Sequence, residues 1–246
     1  MKDTDKKKQY NAKIKSVLKF SGSGVLSKRA YFSTYHLWAA EHFSRLAGKI
    51  EDKHEGRSTF NIEHRAYVVN SIFSSVAFME AAINEFFQDA HDNHGSYIKG
   101  LDEQFLAKVA AIWEVTEQKR KRTLPILEKY EIALNFAEKE KFDKSANLYK
   151  DVNLAITLRN YLTHYKPKNL SENNKHPLDD ELINKFEPNK LMEVSGNNFY
   201  PDHALGAGCT KWCLESVKNF SDKFFEKMEI EPNYQKVDID KLAGKT

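Results

Sequence analysis

Glycine and proline are scarce in these 246 residues, at 10 and 6, and that scarcity removes the turn-rich all-β folds first. Cysteine is scarcer still. Cys209 and Cys213 stand four apart with no further thiol to complete a zinc site, so they read as packing side chains in a helical pattern. Neither sign of charge dominates: 38 Lys and Arg against 35 Asp and Glu leave a net +3. Net charge therefore lends nucleic-acid binding no support, and any such contact has to come from a local patch. Long apolar runs are missing too. Ala66–Phe87 is the greasiest stretch, but Asn70, Ser71, Ser74, Ser75, Glu80, Asn84 and Glu85 interrupt it, which argues against a membrane span. Met1–Gln9 is polar and Lys-rich with no apolar segment behind it, so no cleavable signal is expected and the chain is expected to be cytoplasmic. Internal repeats, a Gly-rich phosphate loop, a Gly-x-Ser-x-Gly elbow and a His-Glu-x-x-His zinc motif are all absent. His91 and His94 run into Gly95 and read as a solvated turn rather than a metal site.

What remains is ordinary for a soluble domain, 41% apolar and 30% charged, and its periodicity is helical. Met1–Lys15 is charged, with a short helix possible at Ile14–Phe20 and a flexible break at Ser21–Gly24. Tyr31–Ile50 carries Tyr35, Trp38, Ala39, His42, Phe43, Leu46 and Ile50 at helical spacing. His64–Asp89 is the longest candidate, apolar on most sides through Ile72, Val76, Met79, Ile83, Phe86 and Phe87, as a helix at the centre of a bundle is. A buried carboxylate costs several kcal/mol unless paired, so Glu80 or Glu85 needs a partner such as Arg159 or a place at the bundle's edge. Leu101–Arg122 follows, closing on Lys119–Arg122, a basic run that complements a helix dipole more readily than it grips phosphate. Leu124–Asn135 and Lys144–His164 supply two more helices, and Ala204–Met228 closes the fold. Lys168–Asn198 is polar and reads as a long loop, and Glu229–Thr246 as a tail. The division expected is an extension over 1–57 with one helix, an all-α up-and-down bundle of about five or six helices over 58–230, and a tail over 231–246.

The chemistry concentrates in Leu154–Pro167, where Leu154, Ile156, Leu158, Tyr161, Leu162 and Tyr165 give a packing face. Pro167 ends the helix near His164. Asn160 and His164 are four apart and share a face, with Arg159 a third of a turn aside. A permanent cation beside an imidazole suits a phosphate-directed site. The plainer reading is a helix end whose Arg and His complement the dipole.

Arg159-Asn160, three residues and then His164 resembles the signature of HEPN-domain ribonucleases, and Tyr165-Lys166-Pro167 resembles the way that motif runs on. The resemblance spans roughly His64–Met228 and implies an all-α HEPN-like bundle that cuts RNA as a homodimer, without metal or other cofactor. It implies His164 as the proton-transfer group, Arg159 as the charge neutraliser and Asn160 as the orienting group. Glu80, Glu85, Tyr161, Tyr165 and Lys166 are the supporting or substrate-binding candidates, the two tyrosines at the dimer interface or stacked on a base. HEPN toxins and phage-defence proteins often come with an antitoxin or partner protein, so one is expected here. The alternative is a HEPN-like module that binds a partner protein, RNA or nucleotide without cutting. Glu80 and Glu85 are five apart and do not share a helix face, as a two-metal site would need.

Overall fold

A computed structural model of the chain describes residues 29–54, 56, 58–118, 123–167 and 175–236. The helical stub at Ile14–Phe20, the break at Ser21–Gly24 and the basic run Lys119–Arg122 lie outside the described residues, as does the tail beyond Lys236. Among the described residues the structure is all-α: α1 Ser33–Glu51, α2 Ile62–Asp92, α3 Glu103–Trp113, α4 Ile126–Phe136, α5 Asn147–Thr163, α6 Leu178–Leu182, α7 Ala207–Met228 and α8 Asn233–Lys236, with no strand. Irregular helical turns at Glu114–Gln118, Lys190–Met192 and Phe199–His203 complete the list. Six of these helices are long, as the periodicity requires; the short ones escaped it because they hold too few turns to show a period.

α2 is the axis of the fold. The Asn61 side chain accepts from the His64 amide to start it, and Asn93 stops it in the left-handed conformation at φ 47°. Although long and apolar enough to cross a membrane, α2 spends that apolar surface inside the protein. Val68, Ile72, Val76, Phe78, Met79, Ala82, Ile83, Phe86 and Phe87 are buried. α1 runs antiparallel to it: Ser33 meets Glu85 at one end and Glu51 meets His64 at the other. α7 runs parallel to α2, with Ala207 beside Glu51 and Phe224 stacked edge-on against Phe86 at 6.2 Å. Tyr130 of α4 seals the centre, donating to the Met79 carbonyl at 2.7 Å and meeting the Phe224 ring at 4.7 Å.

Two helices start without a local side-chain cap and borrow one from elsewhere. Glu85 accepts the Ser33 amide at 2.7 Å and its hydroxyl at 2.7 Å, which caps α1. Glu51 accepts the Ala207 amide at 2.6 Å, which caps α7. Both place a negative group at the positive end of a helix dipole.

Three sequence expectations are corrected. α1 is not an extension packed outside a domain that begins at 58: it contributes Leu37, Ala40 and Ala47 to the core and Glu51 to the start of α7. The described part of Lys168–Asn198 is not a free loop. Leu178, Leu182 and Leu191 are buried there, and the Asp179 carboxylate accepts the amides of His176 at 2.9 Å and Tyr200 at 2.6 Å. Its apolar residues are few, so composition hid them, yet Leu178, Leu182, Leu191 and Met192 are buried while Ile183 and Val194 stay exposed. The segment after Glu229 also begins as structure, with Tyr234 buried against the Phe78 ring at 4.8 Å.

Burial holds the Glu85 carboxyl above its ordinary value of 4.5, outweighing the hydrogen bonds from Ser33 and Tyr97 that pull it down. A raised folded-state value means the folded chain binds the proton more tightly than the unfolded one, so stability falls as pH rises from about 4.5 through the folded value. Glu85→Gln keeps an acceptor for Ser33 and has no proton to lose. Its melting temperature, followed from pH 4 to 7, is expected to lack the decline that wild type shows over that window. An unchanged difference between the two proteins across the window would refute the assignment.

Candidate functional site

α5 buries Val152, Leu154, Ala155 and Leu158 and leaves its other side toward solvent. The helix ends at Thr163, and the His164 amide closes the last turn on the Asn160 carbonyl at 2.9 Å. Tyr161 and Tyr165 are exposed rather than part of the packing face. A helix stripe wide enough to include them would have needed a neighbour on that side, where among the described residues the His176 segment stands.

Thr157, Asn160, Tyr161, His164, Tyr165, Lys166 and His176 line an open cavity of about 370 Å³. Asn160 and His164 therefore do share a face, as their spacing requires. Arg159 does not line the cavity with them. Its guanidinium turns to Glu80 of α2, with Nη2 to Oε2 at 3.5 Å and side chains 27% and 35% exposed. A pair that open to water is worth about 1 kcal/mol or less. The Arg159 Nε is buried without a hydrogen-bond partner, so the guanidinium is only partly satisfied where it lies. Glu80 thus has the partner its position called for. Glu85 is elsewhere, capping α1 and accepting from the Tyr97 hydroxyl at 3.3 Å, and it takes no part in this site.

His176 is the member that the motif did not announce. It is 8% exposed. Its Nδ1 accepts the Leu178 amide at 3.1 Å while its own amide donates to Asp179. A ring whose Nδ1 accepts carries its proton on Nε2. The ring meets Tyr161 edge-on at 5.1 Å and lies on Tyr200 at 4.3 Å. Tyr200 itself is buried, its hydroxyl pushed up to about 12 by desolvation. The sequence signal available was His176-Pro177-Leu178-Asp179-Asp180, a proline followed by acids, which marks a helix start and hence a fixed point in an otherwise polar stretch.

Among the described residues no group of three or more His, Cys, Asp or Glu side chains gathers as a metal site would. Cys209 and Cys213 are buried and unpaired, and desolvation raises both thiols, so they are packing groups rather than nucleophiles. No family model, no curated protein and no solved structure matches this chain.

Proposed function

We propose that the chain is a cytoplasmic, metal-independent endoribonuclease on a HEPN-like bundle, working as a homodimer with the motif helices near the two-fold axis. The observation that carries this reading is the cavity at the end of α5, into which Asn160 and His164 of the motif open beside Lys166. His164 takes the proton of a ribose 2′-OH, the 2′ oxygen bonds to phosphorus, and the bond to the 5′ oxygen breaks as that leaving oxygen picks up a proton from solvent. The products are a 2′,3′-cyclic phosphate and a 5′-OH end. Arg159 neutralises the charge that builds on the phosphoryl oxygens. Its hold on Glu80 is long and half-open to water, so exchanging that carboxylate for a phosphate costs little. Order along the chain also supports the reading: greasy central helix, middle helices, motif helix, closing helix. A toxin or phage-defence role with a neutralising partner protein belongs to the same resemblance.

One observation favours a second reading, a non-catalytic module that binds RNA, nucleotide or a partner protein: Arg159 faces Glu80 rather than the cavity. Incubating end-labelled RNA with the protein in excess EDTA separates the two. Cleavage to cyclic-phosphate ends is expected, with light scattering giving a dimer. Intact RNA supports the binding module. Cleavage that stops in EDTA and returns with Mg²⁺ overturns the Arg–His mechanism, and a clean monomer at micromolar concentration overturns the composite site.

A further inference from the structure

We propose that the cavity at the end of α5 is a subsite for one unpaired nucleobase, stacked on the rings of Tyr161 and Tyr165 with its phosphate at Lys166 and His164. The inference rests on the ribonuclease reading for the reaction it serves, and it assigns the substrate class: single-stranded RNA, not duplex.

Three observations lead there. The first is shape. About 370 Å³ falls in the range of small-molecule sites and suits one nucleotide, not a helix or a groove-reading element. The second is the wall. Four of the seven described lining residues carry aromatic rings: Tyr161, His164, Tyr165 and His176. Tyr161 and Tyr165 are 36% and 57% exposed, so part of each ring is open to a partner. His176 is braced from behind by the fully buried Tyr200 and tied by its backbone to Asp179, which makes that wall rigid. Exposed aromatics on a rigid support are how proteins hold splayed bases, whose π-faces stack whatever their sequence.

The third is charge. Among the described lining residues Lys166 is permanently charged, two are imidazoles, and none is an acid. His176 also meets the rings of Tyr161 and Tyr200 and the carboxylate of Asp179, which accepts the backbone amides of His176 and Tyr200. An anion attached to a planar ring therefore meets complementary groups at both ends. Two other clefts lack this combination. The one at Lys99–Lys108 pairs Lys139 with Glu229 at 2.6 Å, and the one beside α4 pairs Lys144 with Glu131 at 2.9 Å. Both are lined by carboxylates as well as cations, Asp102, Glu138 and Glu229 in the first and Glu128 and Glu131 in the second.

Calorimetric titration of the full chain with adenosine 5′-monophosphate, ribose 5-phosphate and inorganic phosphate at low salt tests the subsite directly. Cleavage of single-stranded and duplex RNA is measured on the same preparations. The mononucleotide is expected to bind at least about tenfold tighter than ribose 5-phosphate. Tyr161→Leu and Tyr165→Leu are each expected to weaken it by about 5- to 150-fold, the equivalent of about 1–3 kcal/mol per stacked base. Both tyrosines are exposed, so melting temperature should hold. His176→Asn keeps an acceptor for the Leu178 amide and removes the ring, and it is expected to weaken the nucleotide as well. Equal binding of all three probes, or no binding, overturns the base subsite. So does a Tyr165→Leu variant that changes the sedimentation coefficient and leaves nucleotide affinity intact, since a second copy of the chain would then fill the cavity. Nucleotide binding without cleavage of any RNA overturns the ribonuclease reading and leaves the subsite standing. Cleavage of duplex and single strand at equal rates, unaffected by the tyrosine variants, does the reverse.

Discussion

Glu51→Ala is expected to lower stability by about 3–5 kcal/mol, the cost of leaving a buried polar partner uncompensated. Glu51 and His64 are 3% and 2% exposed, and a single oxygen, Oε1, meets His64 Nε2 at 2.8 Å and the Ala207 amide at 2.6 Å. Removing the carboxylate strips three helices at once. The end of α1 loses its anchor, His64 near the start of α2 keeps a buried ring nitrogen with no acceptor, and α7 loses its cap. An unmet buried donor costs about 1–3 kcal/mol by itself, and two are created here. For a chain of this size the loss corresponds to a melting-temperature drop of about 6–20 °C. Glu51→Gln offers both donors an amide oxygen of the same shape, so it should recover much of the loss. Gly206, next to Ala207, has no side chain to offer in its place: a Cβ on it would come within 2.6 Å of the Asn189 Cα and 2.9 Å of Glu51 Oε1. Urea unfolding of the two variants settles the matter. A Glu51→Ala loss below about 1 kcal/mol would mean that the junction of α1, α2 and α7 does not depend on this carboxylate.

His164→Ala is expected to reduce RNA cleavage by about 10²–10⁴-fold, the usual contribution of a positioned proton-transfer group. Arg159→Ala is expected to cost about 10²–10³-fold, the loss seen when a group that stabilises developing oxyanion charge is removed. Neither change should disturb the fold. His164 is exposed, and the Arg159–Glu80 contact is worth about 1 kcal/mol or less, which moves the melting temperature by at most about 2–4 °C. The double variant should be little worse than the poorer single one, because groups that act in one transition state are not additive. If both single variants cut RNA at the wild-type rate, the motif is a helix end and nothing more.

The sequence by itself determined the class of fold and most of its long helices. Helix α2 and helix α7 announced themselves because their apolar residues recur every three or four positions, and a core stripe is written locally. The end of α5 was legible for the same reason: Pro167 forbids continuation, and Asn160 and His164 fall on one face whatever surrounds them. Tertiary structure alone decided the rest. Whether Arg159 lines the cavity depends on Glu80, which draws the guanidinium across to α2; helical spacing sets where its Cα stands and leaves a long, flexible side chain free to choose. His176 reaches the cavity only because Asp179 and Tyr200 pin its segment there. Glu85 and Glu51 cap helices that begin 52 residues before and 156 residues after them. No periodicity encodes such pairings, because hydrogen bonds between distant segments are selected by the geometry of the packed chain and leave no repeat in the order of its residues.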